Sequence, residues 1–222
     1  MHEVSRQKFL VSYFPCFFVL QNSFKNHSTH FLLGGDSMNA EEAIEKLKEG
    51  NRRFVKGERA AYNFVERRKE VLEGQKPFVT IVTCSDSRVI PEFIFDANIG
   101  ELFVIRTAGN IVDDVALGSI EYGVEHLKTP LLLILGHERC GAVTATCSGG
   151  EAHGKIKDIV KKIRPACKKA GGEVEKAISL NLDLVEKTIL KKSRIVWELV
   201  EKGELKIKKA KYMLSTGEVV FY

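Results

Sequence analysis

Three short apolar runs constrain this chain more than any other feature: Phe78-Val79-Thr80-Ile81-Val82-Thr83, Leu102-Phe103-Val104-Ile105 and Leu131-Leu132-Leu133-Ile134-Leu135. Each is continuous rather than alternating, which is the pattern of a strand buried on both faces. Helical patterns separate and follow them. Asn39 caps a helix, Glu42 completes a capping box, and Ala43, Ile44, Leu47 and Phe54 recur at helical spacing. Pro91 opens the next helix at its first turn. Asp113 or Asp114 starts another, in which Leu117, Ile120, Val124 and Leu127 share a face. Lysine-rich helical patterns occupy roughly 155–170 and 173–202, and two strands, 205–213 and 219–222, flank a turn at Ser215-Thr216-Gly217. Strands alternating with helices imply an α/β fold, a mostly parallel β-sheet flanked by helices. In such sheets ligands gather at the carboxyl ends of the strands.

Those ends carry the chemistry. Cys84-Ser85-Asp86-Ser87-Arg88 follows the first run, and His137-Glu138-Arg139-Cys140-Gly141 follows the third, 53 residues after Cys84. Cys84, His137 and Cys140 offer two thiolates and one imidazole. This is a zinc set with three protein ligands and a fourth position free for water. Asp86 is either an orienting group or a fourth ligand that closes the site, and one side-chain rotation separates the two. Arg88 can hold the carboxylate away from the metal by charge-assisted hydrogen bonds. Asp86 would then accept a hydrogen bond from zinc-bound hydroxide.

The chain has 222 residues, enough for one α/β domain. Its formal net charge is +5, but the lysines alternate with glutamates along helix faces, as in Glu41-Glu42-Ala43-Ile44-Glu45-Lys46-Leu47-Lys48. No motif for nucleic acid accompanies the charge. Residues 1–37 read as an N-terminal extension, disordered or upstream of the true start, and residues 38–222 as a single catalytic domain. The apolar run Phe9 to Leu20 in the extension is too short to span a bilayer. Five cysteines, irregularly spaced, fit a reducing compartment, hence a cytoplasmic location. Cys147 and Cys167 read as ordinary packed thiols.

The paired runs C-x-D-x-R and H-x-x-C-G resemble those of β-class carbonic anhydrases. So do Gly50-Asn51-Arg52-Arg53-Phe54, the Ala108-Gly109-Asn110 turn and the stretch from Tyr212 to Gly217. The resemblance extends from about Asn39 to Tyr222. It implies reversible hydration of CO₂ to bicarbonate and a proton, one zinc per subunit, and a homodimer or higher homo-oligomer. It also implies that Gln75 contacts substrate, often from the neighbouring subunit, and that the Gly141 N–H lies near it. Some relatives carry an inhibitory bicarbonate site that needs an early tryptophan. The single tryptophan here is Trp197, which favours the open form. Met213 departs from the Asp that often follows the tyrosine. His126 and His153 read as surface histidines rather than proton shuttles. Two other readings of the same residues are hydrolysis of a CO₂-like molecule such as CS₂ or COS, and a zinc-stabilised scaffold without catalysis.

Overall fold

The computed structural model describes residues 38–222, so the reading of residues 1–37 lies outside the described residues. Five strands form one sheet in the order β2-β1-β3-β4-β5. They are β1 (Val79–Cys84), β2 (Leu102–Thr107), β3 (Leu131–His137), β4 (Lys206–Tyr212) and β5 (Val219–Phe221). The first four run parallel, and β5 returns antiparallel against β4. Every residue of β1 and β3 is buried, as their unbroken apolar runs require of central strands covered on both faces.

Alternate residues of the central strands feed two cores. On one face Val79, Ile81, Leu131, Leu133, Leu135, Ala210 and Tyr212 pack against Ala43, Ile44 and Leu47 of α1 (Ala40–Lys56). The expected capping box at Asn39 and Glu42 is formed. At Gly50 this helix passes close to Phe95, the residue that ends α3 (Pro91–Ile94). A Cβ there would lie 1.9 Å from the Phe95 carbonyl oxygen, so no larger residue fits. The next residue, Asn51, is buried. Its amide donates to the carbonyls of Ile94 and Gly217 and accepts the Val219 N–H, joining α1, α3 and the C-terminal hairpin.

On the other face Val82, Ile105, Leu132 and Ile134 pack against α4 (Asp114–Glu121), α7 (Val174–Lys192) and α8 (Arg194–Glu201). Asp113 is the cap of α4, which continues into one wide π-type turn, Tyr122–His126. A third cluster, from α5 (Gly141–Cys147) and α6 (Ile156–Lys169), closes over the carboxyl ends of the strands.

Two expectations change. The helical stretch 173–202 is two helices, because Ser193 adopts extended backbone and its hydroxyl accepts the Val196 N–H to cap α8. Cys147 and Cys167 are not free packed thiols but a disulfide that ties the end of α5 to α6. Helix periodicity brings the two sulfurs together only once α5 and α6 are folded side by side. Helix α2 (Phe64–Glu70) buries no residue and so left no apolar pattern to read. No helix among the described residues is long and apolar enough to cross a membrane.

Candidate metal centre

Strands β1 and β3 are neighbours in register, so Cys84 and His137 arrive at the same end of adjacent strands. Arg139 then turns the chain with φ +53°, and Cys140 caps the start of α5. The outcome is one buried group: the ligand atoms of Cys84, His137 and Cys140 all lie within 4.8 Å of one another. The exposures of these residues are 4%, 0% and 1%.

Each atom is prepared for a cation. His137 Nδ1 lies 2.9 Å from the Glu138 carbonyl oxygen. That contact requires Nδ1 to carry the proton, which leaves Nε2 as an acceptor lone pair. Nε2 is buried and has no hydrogen-bond partner. A buried acceptor with nothing to accept from is costly unless a ligand completes it. The two sulfurs are 4.0 Å apart. The Cys84 thiol ionises more readily than usual, because hydrogen bonding from Cys140 and from the backbone N–H groups of Gly109 and Asp86 favours its thiolate against the opposing effect of burial. Cys140 is pushed upward in turn by that neighbouring thiolate and by burial. The two buried thiols therefore resist ionising together, and a dication between the sulfurs would favour both thiolates. Two thiolates and an imidazole suit zinc by ligand type and by number.

Asp86 stands at the rim. Arg88 grips it on both oxygens, Nε to Oδ1 at 2.9 Å and Nη2 to Oδ2 at 2.7 Å, and the Arg88 N–H adds a third bond at 3.0 Å. Arg88 holds the carboxyl well below the usual carboxylate range, against the opposing effect of burial. Oδ2 remains 3.9 Å from His137 Nε2. In this structure the carboxylate is clamped by Arg88 and is not a member of the three-residue group.

The other expected site residues are placed as follows. Gly141 begins α5 directly after Cys140, exposed, with open space where a Cβ would be. Gln75 is not brought to this centre within its own chain. It is exposed in the loop before β1, at the opposite end of that strand from Cys84. His126 and His153 are both exposed, and His126 stacks on Tyr122.

Two supports went unread in the sequence. Arg106, at the end of β2, donates to the carbonyls of Cys84 at 3.2 Å and Asp86 at 2.8 Å, fixing the course of the Cys-Ser-Asp segment. A charged residue closing an otherwise apolar run was its signal. Gly109 donates its N–H to Cys84 Sγ at 3.2 Å, and its carbonyl accepts from the buried Asn181 at 3.0 Å. Nothing local marks Asn181, 72 residues away in sequence.

A family model described as carbonic anhydrase matches residues 79–219. Carbonic anhydrase 2 of Mycobacterium tuberculosis is 36% identical over 187 residues, covering 80% of this chain and 90% of that protein. A carbonic anhydrase of Mycolicibacterium smegmatis is 44% identical over 129 residues, covering 56% of this chain and 63% of its own length. Among solved structures, a tetrameric β-carbonic anhydrase of Sordaria macrospora superimposes with a TM-score of 0.63 at 24% identity, over 69% of this chain and 84% of that one. The Coccomyxa β-carbonic anhydrase gives 0.62 at 24%, over 82% of each chain. At such identities the superpositions speak for the fold, and the family match and the mycobacterial relative speak for descent. The chain belongs to the β-class carbonic anhydrase family.

Proposed function

We propose that this chain binds one zinc ion through Cys84 Sγ, His137 Nε2 and Cys140 Sγ, and catalyses the reversible hydration of CO₂ to bicarbonate and a proton. The observation that carries the reading is His137 Nε2, a buried acceptor with no protein partner, within 4.8 Å of two buried cysteine sulfurs. When bound, zinc supplies Lewis-acid chemistry that makes a coordinated water acidic enough to act as a nucleophile.

The chain's own residues do the rest. Asp86, held ionised by Arg88, is an acceptor at the rim of the ligand group, so it orients the hydrogen of a water placed there. Arg88 has the second task of keeping the carboxylate off the ligand position, which maintains the open arrangement. Gly141 offers a backbone N–H beside Cys140 without a side chain to obstruct a small substrate. Gln75 reaches a centre only from a second copy of the chain, which fits a homodimer or higher homo-oligomer. Cys84 and Cys140 are ligands only while reduced, which suits a cytoplasmic location, whereas the Cys147–Cys167 disulfide requires an oxidising step in the same cluster.

The test is zinc content together with stopped-flow CO₂ hydration between about pH 6.5 and 9, the range over which a metal-activated water is expected to ionise. Activity proportional to zinc and rising with pH supports the proposal. A fully zinc-loaded protein with no hydration activity at any pH refutes it.

A further inference from the structure

We infer that Glu175, at the start of α7, is a positioning residue for the metal centre. It holds the left-handed turn that aims Cys140 at His137. The inference rests on the zinc reading above and adds a residue from a distant part of the chain to it.

The His137–Cys140 segment is anchored peptide by peptide. The Glu138 N–H donates to the Tyr212 carbonyl of β4 at 2.9 Å. Its carboxylate accepts the Ser215 N–H at 2.9 Å, and its carbonyl fixes the His137 ring. These bonds hold the first half of the segment to the sheet. At Arg139 the backbone then turns to φ +53°, a left-handed conformation that a non-glycine residue adopts only when its surroundings hold it there. Its side chain has little part in this, being 75% exposed.

The turn is held by the Arg139 N–H, which donates to Glu175 Oε1 at 3.1 Å. The other oxygen, Oε2, accepts from Lys211 Nζ at 3.0 Å. Lys211 lies on β4 opposite Gly136 of β3, directly before His137. One carboxylate therefore ties α7, β4 and the bend between two ligands. If the bend relaxes toward ordinary φ, the first turn of α5 swings, and Cys140 Sγ moves relative to His137 Nε2. Outer-layer partners of metal ligands commonly contribute 10–100-fold to metal affinity.

Two measurements on the full chain test this. Zinc transfer to a competing chelator should be about 10–100-fold faster in Glu175→Ala than in the wild type. Glu175→Gln keeps an oxygen acceptor for the Arg139 N–H and should restore most of the difference. Amide exchange at Arg139 in the protein as purified reads the bond independently of zinc. Protection should be lost in Glu175→Ala and kept in Glu175→Gln. Equal protection in all three proteins, or zinc release unchanged in Glu175→Ala, overturns the inference. So does a Glu175→Gln protein as impaired as Glu175→Ala, because the Lys211 pair would then be the operative contact. A wild type that protects Arg139 yet takes up no zinc overturns the zinc reading itself, and the positioning role falls with it.

Discussion

Replacing Gly109 by alanine should damage both stability and the metal centre, and the size of each effect can be worked from the structure. Gly109 has φ +70° and ψ 23°. A Cβ at this position would lie 2.6 Å from Ile163 Cδ1 and 3.1 Å from Ala142 Cβ. The left-handed backbone costs alanine about 1–2 kcal/mol. Forcing a methyl into a packed core costs about 1–3 kcal/mol more, and Ile163 is fully buried, with no open side to yield. Gly109→Ala should therefore lose about 2–5 kcal/mol of unfolding free energy. Because the same residue donates to Cys84 Sγ and accepts from Asn181, displacement of the turn should also speed zinc loss. The assay is urea unfolding of Gly109→Ala, Ile163→Val and the double variant at one pH. Alone, Ile163→Val should cost about 0.5–1.5 kcal/mol. In the Gly109→Ala background it removes the atom that clashes, so it should cost nothing or stabilise, giving a coupling of about 1–2 kcal/mol. Strict additivity, or a Gly109→Ala loss below about 0.5 kcal/mol, would refute the claim that close approach of α6 dictates glycine here.

Asp86→Asn should keep zinc and lower CO₂ hydration by about 10–100-fold, since it weakens the Arg88 grip and the acceptor strength together; unchanged kinetics at full zinc loading would remove Asp86 from the reaction. Replacing Cys147 and Cys167 together by serine opens a cross-link that spans 20 residues and should cost about 3 kcal/mol in chemical unfolding, with little change in zinc content. Asp96 is buried and pairs with Arg53 at 2.6 Å and Arg59 at 3.4 Å. Burial opposes its ionisation, yet Arg53, the Ala60 N–H and Arg59 outweigh it and hold the carboxyl below the ordinary range. Its stabilising contribution is thus complete above the unfolded value near pH 4 and fades as pH falls through the lower folded value. Asp96→Asn should cost about 3 kcal/mol at neutral pH. It should also show a flatter loss of stability below pH 4 when unfolding midpoints are compared across pH.

The sheet was legible because its central strands are unbroken apolar runs, and so was the ligand set, because each ligand follows such a run. Cys84 and His137 could each be assigned to the carboxyl end of a strand, while the pairing of β1 with β3 that brings them together belongs to the fold. Short helices were harder: α5 spans seven residues, and α2 buries none of its residues, so neither carries a period that sequence can show. Supports such as Asn181 and Glu175 lie on α7, whose pattern reports its buried face but not which polar residue meets a loop 36 or 72 positions earlier. The Cys147–Cys167 pairing was invisible for the same reason. Arg88 and Asp86 lie two residues apart, and their contact follows from local reach, which is why that pair was readable.

The fold places two cysteine pairs in one cluster: Cys147 with Cys167, joined, and Cys84 with Cys140, free. The free pair is buried with its sulfurs 4.0 Å apart, so the same two-electron oxidation is open to it once an oxidant reaches them. Joining Cys84 to Cys140 would remove both sulfur ligands until a reductant restored them. A metal held by the inner sulfurs would act as a protecting group for them, so a preparation oxidised after metal loading should keep more competent protein than one oxidised before it.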